Sequence, residues 1–358
     1  MLTNIFLVRW LRKLSHFKAF YNDWLDCSGM INETGEHHKV NLSTEFFANL
    51  KFDSESVRQY RIDAAIRCAE TLGDRPALCL SGGVDSQAMV QCFYEAGLKF
   101  DIIILKFNDD LNTQDSEHAK LFCESKGYPY IELPLNVVFY LTRENFVTGS
   151  HYKSLSPQFN VHYKMAEMLY SMGYTGVCCG GLAPLYDGNF YGYNFDKIPF
   201  HFVKAQDKFK GAFQGSFLSF SPELAWAITL QSEIFDTGVA LDGSSKKFNN
   251  WEVEQELNRI RYQQKVDSYI KVGFDIIPQV QKFTGFENVK TYFEKLTGDG
   301  WTFEKQFRYP LTTAFAKDKI AYRFELTPEQ LDVITMIHFN NLRTSKLSSS
   351  GVGVQLRP

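Results

Sequence analysis

The chain has no apolar run long enough to span a bilayer, no C-x-x-C pair, no internal repeat and no low-complexity segment. Those absences exclude a transmembrane helix, a spaced dithiol motif and a solenoid. Net charge is also scarce, at −3 over 358 residues. So balanced a chain makes no global electrostatic case for wrapping nucleic acid, although a local basic patch stays open. Seven cysteines, an odd set in mostly apolar surroundings, fit reduced core thiols and a cytoplasmic location. The start, MLTNIFLVRWLRKLSHFKAF, places its charges after its apolar residues, so neither a secretory signal nor a membrane contact is expected. Arg9, Arg12, Lys13 and Lys18 read instead as one solvated helix face. Two common nucleotide motifs are missing as well: G-x-x-x-x-G-K-S/T and G-x-G-x-x-G.

What is present is core material, 44% hydrophobic and 15% aromatic residues with 32 phenylalanines, enough for one large domain plus a smaller one, or two. Element order supplies the organisation. Arg61 to Leu72 reads as a helix stopped by Gly73, Ala77 to Leu80 as a strand, and Gln87 to Ala96 as a helix closed by Gly97. The run DIIILKF, Asp101 to Phe107, is β-branched and nearly continuous, as in a strand buried on both faces. A helix over Asp115 to Lys126, a strand YIEL over Tyr130 to Leu133, a helix over Val161 to Met172 and a strand ending at Cys179 complete the alternation. Short apolar strands separated by helices imply a parallel sheet with right-handed crossovers. Beyond residue 200 longer helices take over, among them WEVEQELNRIRYQQKVDSYIKVG, with Ser221-Pro222 and Thr327-Pro328 as capped helix starts.

Between the first strand and its helix lies Ser81-Gly82-Gly83-Val84-Asp85-Ser86. A strand that ends in Ser-Gly-Gly and opens a helix presents several unobstructed N–H groups beside the positive end of the helix dipole, which is an anion site. Gly82 and Gly83 allow a phosphate to approach the backbone, and Ser81 and Ser86 add hydroxyl donors. Asp85 would repel a phosphate unless a divalent cation sat between them, so the loop reads as phosphate plus Mg²⁺. The plainer reading is a tight βα turn in which Asp85 or Ser86 caps the helix.

The hexapeptide and its strand–helix setting resemble the S-G-G-x-D-S signature of the N-type ATP pyrophosphatases, the PP-loop enzymes. That resemblance implies an α/β fold of the adenine nucleotide alpha hydrolase-like (HUP) type: a parallel sheet of about five strands with helices on both faces, followed here by a mainly helical C-terminal region. It implies residues 1–60 as an extension packing on the core, 61–200 as the ATP pyrophosphatase domain, and 201–358 as a region able to complete the active site. It implies ATP and Mg²⁺, with the β,γ-diphosphate in the loop, attack of a substrate oxygen on the α-phosphorus and departure of pyrophosphate. ATP contacts would come from Leu80, Ser81, Gly82, Gly83, Val84, Asp85 and Ser86, from Lys106 and Phe107 at the adenine edge of the second strand, and from Cys179, Gly180 and Gly181.

Within that superfamily, CCGGLAPLYDGNFYGY, Cys178 to Tyr193, resembles the asparagine synthetase segment G-E-G-x-D-E-x-F-G-G-Y, which would join Asp187 to Asp85 at Mg²⁺. Near the chain end, Lys346 before Gly351-Val352-Gly353 resembles that family's lysine-bearing loop and would steady charge on the α-phosphate, with Arg343 and Arg357 as alternatives. Gly181 stands where the family has a Glu that handles incoming nitrogen, and no N-terminal-cysteine glutaminase domain is expected, so nitrogen would come from ammonia, a substrate amine or a separate donor protein. The expected function is adenylation of a carboxylate or amide-like oxygen of a small molecule, followed by displacement of AMP. The alternatives are thiolation of a tRNA or nucleobase, with Cys178 and Cys179 as sulfur carriers, and a non-catalytic ATP-binding protein. Asp85→Asn is expected to abolish turnover with little change in melting temperature. His151, Lys153, His162 and Lys164 mark a candidate substrate loop, and Asn108 to Asp115 a solvated turn at the ligand edge of the sheet.

Overall fold

The computed structural model describes residues 25–26, 37–145, 147–148, 157–180, 185–186, 191–193, 212–214, 217–231, 251–279, 285–297, 322–325, 327–330, 332–333 and 336–337. Its strands, in chain order, are β1 (Leu25–Asp26), β2 (His37–Val40), β3 (Pro76–Cys79), β4 (Asp101–Phe107), β5 (Ile131–Leu135), β6 (Gly176–Cys179), β7 (Leu185–Tyr186), β8 (Tyr191–Tyr193), β9 (Ala212–Gln214) and β10 (Tyr322–Glu325). The helices are α1 (Thr44–Ala48), α2 (Ser54–Leu72), α3 (Val84–Glu95), α4 (Thr113–Lys126), α5 (Val137–Arg143), α6 (Pro157–Ser171), α7 (Pro222–Gln231), α8 (Trp251–Lys271) and α9 (Gly285–Thr297).

The central sheet has the order β5-β4-β3-β6-β9, and every pairing in it is parallel. Strand alternation divides its side chains between two apolar clusters. Ala77, Cys79, Ile103 and Val177 face α6 through Tyr163, Ala166 and Leu169. Leu78, Leu80, Ile102, Ile104 and Cys178 face α2, α3, α4, α7 and α8. The chain is therefore an α/β protein with helices on both faces of a parallel sheet, as β-branched strands buried on both sides require.

β4 spans the residues expected for it, and α2 starts seven residues earlier than the sequence reading, at Ser54, because Asp53 caps it by accepting from Ser56 N. Gly73 and Gly127 end their helices at positive φ. Ser221 Oγ accepts from Leu224 N at 3.1 Å, and Thr327 and Gln330 bond reciprocally, so both expected capped starts are formed. Within the central sheet, β9 is the strand that sequence reading missed: three residues of AFQ carry too little periodicity to stand out, and they pair in parallel with β6. A second sheet, β1-β2-β10-β8-β7, mixes parallel and antiparallel pairs and joins short segments far apart in the chain. No described helix is long and apolar enough to cross a membrane.

Candidate functional site

The chain runs outward from β3 through β4 to β5, then returns to the other side of β3 as β6. That reversal falls at the carboxyl ends of β3 and β6, the place where open parallel sheets receive ligands. Two segments meet there: Ser81–Ser86 after β3, and Gly180 after β6.

Their approach is close. A Cβ on Gly180 would lie 2.5 Å from Ser86 N, so only glycine lets the end of β6 rest on the first turn of α3. Gly82 has φ +77° and is wedged against α4, where a Cβ would meet the Asp115 carbonyl at 3.0 Å. Around Gly83 the space is open: a Cβ there would have only Ser81 Oγ near it, at 3.6 Å. Gly83 is the N-cap of α3, and no side chain caps the helix. The plainer reading of the turn, with Asp85 or Ser86 as cap, is therefore replaced by an open helix end. Ser86 Oγ instead braces the loop, donating to Gly83 O at 2.8 Å and accepting from Ser81 N at 3.2 Å.

Asp85 is 8% exposed and held by the C-terminal half of the chain. Lys265 Nζ donates to its Oδ2 at 2.5 Å, and the Tyr269 hydroxyl donates to its Oδ1. Lys265 and Tyr269 are one turn apart on α8, so one helix face delivers both donors. Tyr262, a turn earlier, accepts from Gln279 N at 3.0 Å; burial pushes its hydroxyl up, and the Asp85 charge adds to the rise. Sequence reading missed Lys265 and Tyr269, which lie 180 and 184 residues beyond Asp85 with no local pattern to flag them.

The diphosphate of a nucleotide, which the loop sequence implied, fits an uncapped helix end with open space at Gly83. The cation fits less simply, because both Asp85 oxygens already carry protein donors and the Lys265 ammonium stands where a metal was expected. Among the described residues no group of three His, Cys, Asp or Glu could hold a metal ion. A cation carried in by phosphates would reach Asp85 only by displacing Lys265. The expectation that Asp85→Asn leaves melting unchanged is corrected for the same reason, since it strands a buried ammonium.

Phe107, expected at the adenine edge, is core: it is 5% exposed and edge-on to Phe286, while Lys106 pairs across the sheet with Glu132 at 3.6 Å. Cys179 ends β6 opposite Cys79, and the hydrogen bond that the Cys79 thiol makes to Cys179, together with burial, pushes the Cys79 thiol well up. Cys178 is buried against Cys68, their sulfurs 3.6 Å apart, and burial raises its thiol well above the ordinary range, so neither Cys79 nor Cys178 is a ready nucleophile. Lys164 of α6 pairs with Glu144 at the end of α5 at 2.6 Å, and burial pulls the His162 imidazole down to about 4. Gly181, Asp187, Lys346, His151 and Lys153 lie outside the described residues.

No protein-family pattern matches the chain, and no curated protein matches it. Among solved structures it is similar to the U34-tRNA thiolase NcsA from Methanococcus maripaludis with its 4Fe–4S cluster, at 11% identity over 88% of each chain and a TM-score of 0.27. An overlap that low transfers nothing from that enzyme to this chain.

Proposed function

We propose that the chain is an ATP-using enzyme of the PP-loop type, in which Ser81–Ser86 holds the β- and γ-phosphates and a substrate oxygen attacks the α-phosphorus. The new P–O bond forms as the bond to the β-phosphate bridge breaks, and pyrophosphate leaves with that bridging oxygen and its electron pair. A nitrogen nucleophile then displaces AMP, as in an asparagine synthetase-like ligase. The observation that carries the reading is the uncapped start of α3 at the sheet's switch point, its neighbouring acid already neutralised by Lys265. Backbone N–H groups supply fixed positive potential there, and binding energy goes into positioning and charge stabilisation. Mg²⁺ would accompany the nucleotide and offset phosphate charge. Lys265 is a candidate for the α-phosphate charge role, beside Lys346.

Incubation with ATP, Mg²⁺ and a panel of carboxylic acids and amides should release AMP and pyrophosphate in equal amounts. Release of ADP and phosphate instead would overturn the reading. A second reading, thiolation of a tRNA or nucleobase, is favoured by the place of Cys179 at the same sheet edge beside Gly180. Cys179→Ala would then abolish sulfur transfer, whereas an amide-forming ligase would keep its turnover. ATP binding without pyrophosphate release across that panel would instead support a binding protein.

A further inference from the structure

Among the buried polar side chains of α3, Gln87 as well as Ser86 reaches back to the loop. Gln87 is fully buried, and its Nε2 donates to Gly82 O at 2.7 Å. The same amide grips a strap that follows α8: Nε2 donates to Ile277 O at 2.8 Å, and Oε1 accepts from Ile277 N at 2.9 Å. His118 Nε2 donates to the same carbonyl at 2.8 Å. One turn further along, Gln91 holds Asp275 in the same manner, accepting from its N at 3.0 Å and donating to its O at 3.2 Å, without touching the loop.

The Gly82–Gly83 peptide is trans, so its carbonyl and its N–H point in opposite directions. Gln87 draws the carbonyl inward, which turns the Gly83 N–H outward, toward the side where Gly83 is half-buried and a methyl would meet open space. Without that bond the peptide could rotate, since glycine at 82 and 83 accepts more backbone conformations than any other residue. We propose that Gln87 is a positioning residue: it orients the Gly83 N–H for the anion and ties that orientation to the Ile277 strap. The proposal rests on the reading of Ser81–Ser86 as a phosphate site.

Its test uses the full-length chain and inorganic pyrophosphate as the probe, with affinity measured by calorimetry well below each variant's melting temperature. Gln87→Met removes the donor, and Gln87→Glu keeps the acceptor for Ile277 N while placing an oxygen against Gly82 O. Both should weaken pyrophosphate about tenfold or more, the loss of one charge-assisted hydrogen bond. Gln91→Met gives up the equivalent bonds to the strap and should leave affinity within about twofold, because it touches no loop atom. Equal losses in the Gln87 and Gln91 variants, or none in either Gln87 variant, would overturn the proposal. In the wild-type chain labelled with ¹⁵N-glycine, the Gly83 amide should shift downfield as pyrophosphate is added, and an unmoved Gly83 would sink it without any variant. Should the wild type bind no pyrophosphate at all, the phosphate reading of the loop fails, and the positioning role falls with it.

Discussion

Two turns leave the same edge of the central sheet, one after β3 and one after β4, and they are built oppositely. Ser81–Gly83 is small and leaves α3 uncapped, and the acid that follows, Asp85, is buried and neutralised by Lys265. Asn108–Asn112 is acidic and tied down: Asn112 Oδ1 accepts from Phe107 N at 2.7 Å and its Nδ2 donates to Leu105 O at 2.7 Å, while Asn108 Oδ1 accepts from Val137 N. That bracing holds Asp109 and Asp110 exposed at φ 53° and 54°. The two turns therefore present different local fields at the same sheet edge: a buried ammonium from a distant helix neutralises the acid of one, and the acids of the other stay exposed.

The comparison breaks most directly at the ion pair. Asp85→Asn or Lys265→Met should each cost about 3–5 kcal/mol in urea unfolding, because each leaves a buried partner uncompensated. The double variant should recover part of that loss, and a wild-type melting curve for Asp85→Asn would mean Lys265 does not hold it. Asp109→Asn, in the exposed turn, should stay within about 0.5 kcal/mol.

Next in size is Gly180→Ala, whose methyl meets the Ser86 backbone; about 1–3 kcal/mol of destabilisation is expected, with weakened pyrophosphate binding as α3 shifts. A Gly180→Ala chain as stable as wild type would show that β6 and α3 are not in contact. Gly83→Ala separates the two effects. Its methyl enters open space and should change stability by less than about 1 kcal/mol while lowering pyrophosphate affinity in calorimetry about tenfold. The smallest effect belongs to Asp110→Gly, which relieves a left-handed residue and should raise stability by about 0.5 kcal/mol, with pyrophosphate affinity changed less than about twofold. A larger gain in affinity would show that the two turns share one field.

Much of the fold was legible because its signals are local. β4 is a β-branched run, the helices end at glycines with positive φ, and alternation of strands and helices implies the parallel sheet. The strand–turn–helix around Ser81–Ser86 was legible for the same reason: two glycines between an apolar strand and a helix mark it without a distant partner. Phe107 was not, since a phenylalanine at a strand end reads equally as adenine platform or core until α9 is seen to pack on it with Phe286.

The amino-acid sequence by itself determined the βα alternation, the small turn at Ser81–Gly83 and the presence of an acid at its helix start. Only the tertiary structure decided what that acid faces and where the loop's carbonyl points. Lys265, Tyr269 and Ile277 are brought there by the packing of α8 and its strap on α3, across about half the chain. Charge neutralisation and peptide orientation depend on distances in space, and no periodicity along the chain encodes them.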